Sequence, residues 1–381
     1  MIREVNTMLL FASFLFAPAI LAFRMGRKAI RNINIKRTIP TQIFAGESFI
    51  VGLEVTNLRP SRKLSLSCWG LVVIDRIRRI SENESQEKPY EPAVYFSYIP
   101  NGQARLQTYA GNLPQRGRYR FEQVQISTRF PFGFFRSRST QMPNNKMNDF
   151  FVYPKIGKLS SRWQSRRRKA NESQQRLRYQ PSRQVGDFLG VRPWQYGDTK
   201  KGIHWRASAK HQTPVVRQYE LHQNQDCTVI LDLYHEENGG NSTHRAAHRE
   251  ELRENFELAV SFAATLVSDL TRRSEGSIFF ATNKAPEEFV YAPLGFPAQD
   301  QILQRLTLAA PSKEDHLGET LLKIPAHHQS EIIFITTNPL DIQSSPRFKE
   351  LSEDPRYRGL LKRFHIVNTS SEELAEFFSS D

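Results

Sequence analysis

The first hydrophobic pattern in the chain is an uncharged run near the N-terminus. Met8 to Phe23 carries no charged residue, and as a helix it would extend about 24 Å. This is somewhat short of the ~30 Å hydrocarbon core of a bilayer, but Thr7 and Met25 lengthen the run and Arg24 can snorkel to the interface. The pattern therefore predicts a single membrane anchor. A cleaved signal peptide and a buried core helix remain as alternatives.

Short runs of alternating apolar and polar residues follow from Ile33 to Tyr153. Turn residues such as Asn57 and Pro100–Gly102 separate these runs. About seven antiparallel strands over this length predict a β-sandwich of immunoglobulin-like type, which we place at 32–156, after an anchor and basic flank at 1–31. The Cys…Trp…Cys spacing of true immunoglobulin domains is missing, so the likeness is one of architecture.

Residues 157–184 are basic and polar and contain few aliphatic side chains, which predicts a linker or mobile loop.

From 185 to 381 strands alternate with helices. A helix with one apolar stripe is expected from Arg245 to Arg273, and shorter helices at Gln299–Leu308 and Glu319–Lys323. The alternation predicts an α/β domain with a doubly wound, mostly parallel sheet. Its apolar strands are expected at Cys227–Leu233, Ser277–Thr282, Glu331–Thr336 and Arg363–Val367.

Charge and composition change this picture little. Apolar residues make up 39% of the 381 residues, and the mean hydropathy of −0.53 fits a chain that is mostly soluble. The net charge of +14 is concentrated in Arg24–Arg37 and Lys155–Arg183, so the folded parts are close to neutral. A nucleic-acid-binding protein should instead have its Lys and Arg residues spread over one face of a domain. By the positive-inside rule the first cluster predicts a single-pass inner-membrane protein with its bulk in the cytoplasm.

The two cysteines, Cys68 and Cys227, are far apart in the sequence and match no metal or redox spacing. They favour a reducing compartment. No phosphate-binding loop, dinucleotide fingerprint or nucleophile elbow is present. His244 and His248 are one helical turn apart but lack the Glu of a zinc protease, so a solvated helix face explains them better, although His235 and two glutamates lie close by.

The densest stretch of polar and aromatic residues is YGDTKKGIHWRASAK, Tyr196 to Lys210. Asp198 is placed to cap a short helical turn, with Ile203 and Trp205 on its apolar face. The stretch therefore predicts a packed connector with a buried Trp205. A binding role for Asp198, Arg206 or Lys210 is the alternative. Catalysis by His204 is weakly supported, because no acid or nucleophile partner is evident.

Three stretches resemble the bacterial family called domain of unknown function 58 (DUF58). One is IFAGESFIVGLEVTN, which is similar to the family's first strand pair. Another, Arg116 to Arg136, is similar to its Arg-Gly-x-Tyr strand and Asp-Pro-Phe-Gly-Leu-Phe turn, with Phe130 replacing the Asp and Phe134 the Leu. The longest is GDFLGVRPWQYGDTKKGIHWRASAKHQTPVVRQYE, whose signature positions are Arg192, Tyr196, Gly197, Asp198, Ile203, His204, Trp205, Ala207, Ser208, Ala209, Lys210 and Glu220.

The resemblance implies an N-terminal membrane anchor, a β domain and a C-terminal domain similar to von Willebrand factor type A domains. The family usually shows two membrane helices, whereas one is visible here. Such proteins are often encoded beside MoxR-type AAA+ ATPases, which the resemblance implies as partners in envelope-associated assembly. Other membrane-associated A-type proteins are further possible partners.

A-type domains often hold Mg²⁺ through Asp-x-Ser-x-Ser and later Thr and Asp residues, and hard oxygen ligands suit that ion. Here Tyr234 and Glu236 replace the two serines, and Asn338 stands near the expected Asp. We therefore expect a degenerate site without metal or cofactor. The same strand ends remain the predicted binding face, which comprises Asp232, Tyr234, Glu236, Thr320, Thr336, Thr337 and Asn338.

Together these patterns predict a membrane-anchored, non-enzymatic interaction protein. One alternative is an anionic-lipid or nucleic-acid binder that uses the Arg-rich linker, without sequence-specific nucleic-acid recognition. The other is a hydrolase whose site the sequence does not reveal.

Overall fold

The computed structural model contains two compact units, Met1–Lys155 and Ile156–Asp381. Each is described by itself. The structure describes residues 2–59, 67–80, 88–143, 149–167, 169, 187–220, 226–235, 245–273, 276–285, 287–325, 328, 330–338, 346–370 and 372–380.

The first unit begins with the long helix α1 (Ile2–Ala29). Its segment Met8–Ala29 has a mean hydropathy of 1.9 and is long and apolar enough to cross a membrane; among the described helices it alone meets that test. Most of its large apolar side chains are exposed, whereas Ala22, Gly26 and Ala29 are buried near its C-terminal end. The predicted membrane anchor is thus confirmed only in part: the segment is a helix whose length and composition would allow it to cross a membrane.

The β domain is more finely divided than the sequence predicts, with short strands added to the longer expected ones. Its sheets run β1-β3-β7, β10-β9-β4-β6 and β2-β11-β8-β5. The described strands are β1 (Ile33–Thr38), β2 (Ile43–Phe44), β3 (Ser48–Asn57), β4 (Cys68–Ile74), β5 (Ile77–Arg79), β6 (Ala93–Ile99), β7 (Ala104–Asn112), β8 (Gly117–Phe121), β9 (Val124–Thr128), β10 (Ser137–Gln141) and β11 (Asp149–Tyr153).

Alternation of side chains builds the core of this domain. Along β3, every second residue faces inward, so that Val51, Leu53 and Val55 are fully buried. These residues belong to one apolar cluster with side chains from all three sheets. The two-residue period that predicted the strands is therefore the same period that fills the core.

One member of the predicted basic cluster lies inside the β domain. Arg37 is buried, and its Nε and Nη2 donate to the Asp75 carboxylate at 2.9 and 2.5 Å. The Tyr109 hydroxyl donates to the same carboxylate at 2.8 Å, and the guanidinium lies 4.1 Å from the Phe121 ring centroid. Arg37 therefore balances a buried charge instead of extending the juxtamembrane cluster.

The second unit is an α/β domain with a five-stranded sheet in the order β17-β16-β15-β18-β19. All neighbours are parallel except β16 and β17. Its strands are β12 (Lys158–Leu159), β13 (Asp187–Pro193), β14 (Val215–Glu220), β15 (Cys227–Leu231), β16 (Ser277–Thr282), β17 (Phe289–Pro293), β18 (Ile332–Thr336), β19 (Phe364–Asn368) and β20 (Phe378–Ser379). The mostly parallel sheet matches the expected class.

The helices of the second unit are α2 (161–167), α3 (Trp205–His211), α4 (Arg245–Arg273), α5 (Phe296–Leu308), α6 (Leu317–Leu322), α7 (Pro346–Glu353), α8 (Pro355–Leu361) and α9 (Glu372–Phe377). The bounds of α4 are those that its apolar stripe predicts, and Phe256, Val260 and Leu270 along that stripe are buried. Both cysteines are free and buried. Burial raises the pKa of Cys227 to about 11, as expected for a thiol that acts as a small hydrophobe.

Part of the predicted linker is folded, which corrects the expectation for 157–184. Strand β12 pairs with β20, and the Ser160 hydroxyl accepts a hydrogen bond from the Trp163 N–H at the start of α2. Trp163 is only 1% exposed and packs against Phe262, His365 and Phe377. One large aromatic side chain thus anchors a segment whose overall composition indicated a solvated chain. Most of 168–186 lies outside the described residues.

Candidate functional site

Strands β13 and β14 form an antiparallel hairpin that carries the signature stretch at its end. Arg192 pairs with Val216 and Pro193 with Val215, after a bulge near Phe188. We call residues 194–210 the hairpin tip. The tip contains a 3-10 turn, Lys200–Gly202, followed by α3.

A bidentate ion pair fixes the start of the hairpin tip. Arg192 Nη1 and Nη2 donate to the two carboxylate oxygens of Asp198, each at 2.7 Å. The backbone N–H of Gln195 donates to the same carboxylate at 2.9 Å. These bonds, from Arg192 first and then from Gln195, hold the pKa of the Asp198 carboxyl below its usual range. Asp198 therefore closes the loop and caps neither the 3-10 turn nor α3, so the predicted cap of a short helical turn is wrong.

The cap of α3 is His204. Its Nδ1 accepts the backbone N–H of Ala207 at 3.1 Å, which satisfies one of the free donors of the first turn. The Ser208 hydroxyl donates to the His204 carbonyl oxygen at 3.1 Å and accepts the Val215 N–H at 3.0 Å. These contacts give His204 and Ser208 a structural explanation within the hairpin.

The prediction that Trp205 is buried is wrong. Its side chain is 71% exposed, Tyr196 is fully exposed and Trp194 is 37% exposed. The helix α3 has only seven residues, and none of them is buried. It is held on β14 through the Ile203–Val216 bridge and through Ser208, so its aromatic face is not covered by another described element. The hairpin tip thus presents its large aromatic side chains to solvent.

The same segment also carries four exposed cations. Lys200, Lys201, Arg206 and Lys210 are all exposed, and within the described residues none of the four forms an ion pair. The only carboxylate of the tip, Asp198, is bonded to Arg192. The tip therefore combines exposed aromatic rings with an uncompensated positive charge, a combination suited to an anionic partner surface.

The second predicted site lies at the carboxyl edge of the sheet. Asp232 follows β15, and its side chain is fully buried. Its carboxylate accepts hydrogen bonds from the Asn283 amide at 2.8 Å and the Thr336 hydroxyl at 2.9 Å. Arg347 Nη1 and Nη2 donate to it at 3.0 and 3.2 Å. Each charged oxygen of Asp232 is thus satisfied by groups of the chain itself.

Arg347, at the start of α7, joins two carboxylates at this edge. Its Nη2 donates to Asp315 Oδ1 at 2.5 Å, and its Nε also pairs with Asp315. Burial raises the pKa of the Asp232 carboxyl, whereas the Arg347 guanidinium and the Thr336 hydroxyl stabilise its charged form. The residues present do not fit a divalent cation, because the guanidinium already lies against Asp232 where the cation would need to bind.

The other residues of the predicted binding face are mostly inward-facing. The Tyr234 carbonyl oxygen accepts the Asn338 amide at 2.8 Å, and Thr337 is 9% exposed. Thr320 lies on α6 and is buried, and its hydroxyl has no hydrogen-bond partner among the described residues. Glu236, His244 and the side chain of His248 lie outside the described residues. Among the residues that the structure describes, this edge is therefore an internally bonded polar network with little free surface, although the Thr320 hydroxyl named above is left without a partner.

A further polar cluster, which the sequence did not reveal, lies at the opposite edge of the sheet. The Ser277 hydroxyl is 3.1 Å from His328 Nε2 and donates to Asp226 Oδ1 at 2.7 Å. The Thr228 hydroxyl is 3.0 Å from His328 Nδ1. In a catalytic triad the carboxylate would bond the histidine on the side away from the serine. Here Asp226 bonds Ser277 and His328 is fully buried, so the arrangement differs from a triad.

Comparison with known proteins adds a family to this geometry. The model of the family described as "Protein of unknown function DUF58" matches residues 190–333. Over this region the chain is similar to the DUF58 family. No curated protein shows significant sequence similarity to the chain.

Solved structures that are similar to parts of the chain share little sequence with it. The CARDB domain of PF1109 from Pyrococcus furiosus is 14% identical, with 32% of this chain and 92% of that chain covered and a TM-score of 0.18. Spo0M, a sporulation control protein from Bacillus subtilis, is 11% identical, with coverages of 44% and 59% and a TM-score of 0.18. A β-glucosidase from Listeria innocua is 12% identical, with coverages of 32% and 16% and a TM-score of 0.20. Similarities at this level carry no functional argument.

The DUF58 match includes the hairpin tip and three of the residues at the carboxyl edge, Asp232, Asn283 and Asp315. Thr336 and Arg347, which also bond Asp232, lie beyond it. Sequence reasoning missed Asn283, Asp315 and Arg347. Asn283 directly follows a buried parallel strand, a position that could have indicated it, whereas Arg347 is more than a hundred residues from Asp232 and gives no local signal.

Proposed function

We propose that this DUF58 protein is a membrane-anchored, non-enzymatic interaction protein and that the hairpin tip docks its protein partner. The observation that carries the proposal is the exposure of Trp205 and Tyr196 on a loop fixed by the Arg192–Asp198 pair. Exposed aromatic side chains on a rigid support are the usual anchors of protein interfaces, because they bury a large area with little loss of conformational entropy.

The four free cations of the tip indicate the chemistry of the partner. Lys200, Lys201, Arg206 and Lys210 favour an acidic surface and would speed its encounter with the tip. The DUF58 resemblance supports a MoxR-type AAA+ ATPase as that partner, and other membrane-associated A-type proteins are further candidates. The strand order of the α/β sheet, with an antiparallel edge strand, is compatible with a domain similar to von Willebrand factor type A.

The anchor helix supports the proposed location. Arg24, Arg27, Lys28 and Arg31 are exposed at the end of the apolar segment. By the positive-inside rule they favour a cytoplasmic position for both folded units, in a protein that crosses the inner membrane once. Reporter fusions after Gly157 should therefore be active only on the cytoplasmic side. Activity confined to the other side would contradict this topology.

The experiment that tests the docking proposal is a titration of the full chain, held in nanodiscs, with the MoxR-type ATPase of the same genome. Trp205→Ala and Tyr196→Ala should each weaken binding by roughly thirtyfold, since truncated anchors typically lose about 2 kcal/mol or more. Tyr291→Ala, an exposed aromatic on β17, is the matched control and should leave the affinity unchanged. Unchanged binding by both tip variants would refute the proposal.

No observation on the described residues favours the alternative functions. Most of the Arg-rich segment that would bind lipid or nucleic acid lies outside those residues. The Asp226–Ser277–His328 cluster lacks the bonding order of a Ser-His-Asp triad.

A further inference from the structure

One face of α1 meets a loop of the β domain. Helical spacing places Leu10, Ser13, Phe14, Ala17, Pro18 and Leu21 on the same side of the helix. These six residues line a cleft of about 520 Å³ together with Phe132, which lies between β9 and β10. An aromatic side chain of the β domain therefore lies beside the middle of the apolar helix.

The loop that carries Phe132 reads RFPFGFFR, Arg129 to Arg136, and we call it the phenylalanine loop. Phe132, Phe134 and Phe135 are 53%, 68% and 44% exposed. An apolar patch of this kind at the surface of a folded domain marks a contact with a partner or a membrane. Its flanking residues, Arg129 and Arg136, are exposed as well.

Close contacts fix the phenylalanine loop against the helix. The rings of Phe23 and Phe135 meet edge to face, with centroids 6.1 Å apart. At Gly26 a Cβ atom would lie 2.6 Å from the Ser137 hydroxyl oxygen and 3.2 Å from the Phe130 carbonyl oxygen. Only a glycine allows this approach. The loop and the last turns of α1 are therefore packed together, and they share one position relative to any membrane that the helix crosses.

This placement bears on what covers the exposed rings. We propose that the phenylalanine loop inserts among the acyl chains of the bilayer beside α1 and forms a second membrane contact. The exposed side chains that line the cleft belong to the segment that would cross the hydrocarbon core, so Phe132 reaches the depth of that core. Arg129 and Arg136 would then lie at the level of the anionic headgroups, together with Arg27 and Lys28.

The proposal rests on the membrane anchor of the proposed function but not on the docking partner. A second transmembrane protein could also cover the rings. In vesicles of pure lipid no second transmembrane protein is present, so only acyl chains can surround the loop. An experiment in such vesicles with the full chain therefore separates them.

The test places a fluorescent probe at single cysteines in a Cys68→Ala, Cys227→Ala background and measures quenching by lipids that carry a doxyl group on the acyl chain. Phe134→Cys and Phe132→Cys report on the loop. Phe14→Cys, 81% exposed where α1 lines the cleft, reports on the anchor, and Met142→Cys, 62% exposed just beyond the end of β10 that is farther from the loop, is the control. The vesicles contain phosphatidylcholine and phosphatidylglycerol.

Quenching of both loop probes to within about a factor of two of the Phe14 probe, with the Met142 probe unaffected, is the expected result. If the Phe14 probe is quenched and the loop probes are not, the loop is outside the bilayer and the proposal is wrong, while the anchor stands. If none of the probes is quenched, the anchor fails and the proposal fails with it. Two loop positions guard against a local folding defect at either one.

Discussion

The hairpin tip and the carboxyl edge of the sheet use similar residues in opposite ways. Both contain an aspartate held by an arginine through two hydrogen bonds, Asp198 by Arg192 and Asp232 by Arg347. At the tip the pair is partly exposed and fixes a loop whose aromatic and basic side chains face solvent. At the edge the Asp232 side chain is fully buried and its partners are internal. An Asp–Arg pair therefore indicates a binding site only where the side chains around it remain exposed to solvent.

The largest effect should follow from breaking the edge. Arg347→Ala leaves the Asp232 charge buried without its counterion, and loss of one partner from a buried pair typically costs about 3–5 kcal/mol. Denaturant unfolding of the full chain measures this cost. The matched control is Arg356→Ala, whose pair with Asp354 is exposed and should contribute little to stability. Equal losses in the two variants would show that the edge network is no more important than a surface pair.

Acid should destabilise the α/β domain at a different buried group, His365, which packs beside α2. Burial first, and then the nearby Arg166, lowers the pKa of His365 to about 4. The unfolded chain, with an ordinary pKa of about 6.5, takes up a proton that the folded chain resists, so stability is lost as the pH falls from about 6.5 towards 4. The loss should be about 2 kcal/mol after allowance for solvent screening.

Denaturant unfolding of the wild type and of His365→Gln, each at neutral and acidic pH, measures how much His365 contributes to the loss of stability. The contribution is the difference between the two proteins. The variant should lose less stability than the wild type over the same interval. The same pH dependence in both proteins would mean that His365 is not held neutral beside α2.

A smaller effect on stability is expected at the tip. Trp205→Ala removes a side chain that is 71% exposed, so it should change the free energy of unfolding by less than about 1 kcal/mol. A buried tryptophan would cost about 3–5 kcal/mol. Thermal or denaturant unfolding distinguishes the two values, and a loss in the higher range would restore the packed-connector interpretation.

The smallest effect on stability should come from the charges of the tip. Lys200→Glu with Lys201→Glu should change stability by no more than about 0.5 kcal/mol, since both side chains are exposed and outside any ion pair of the described residues. The two substitutions together should instead slow association of the chain with an acidic partner. They should also weaken the dependence of the association rate on salt concentration. Association rates at low and high salt measure this, and a rate that is unaffected would show that these lysines do not steer binding.

Local patterns predicted the interior better than the surface. The stripe of α4 spans many helical turns, so its period defined both ends of the helix. Trp205 was placed wrongly because a seven-residue helix has too few positions to show which face is covered. Trp163 and Arg347 were missed for another reason. Their partners, such as His365 and Asp232, are distant in sequence, and only the assembled sheet brings them together.

Hydrogen exchange of the full chain in nanodiscs, with and without the MoxR-type ATPase, tests the central claim most directly. The tip exposes its side chains, whereas the described residues of the edge are mostly buried. The partner should therefore slow exchange in peptides that cover 194–210 and leave those that cover 231–235 and 332–338 unchanged. Protection of the two edge peptides with no change at the tip would contradict the account and return the docking face to the carboxyl edge of the sheet.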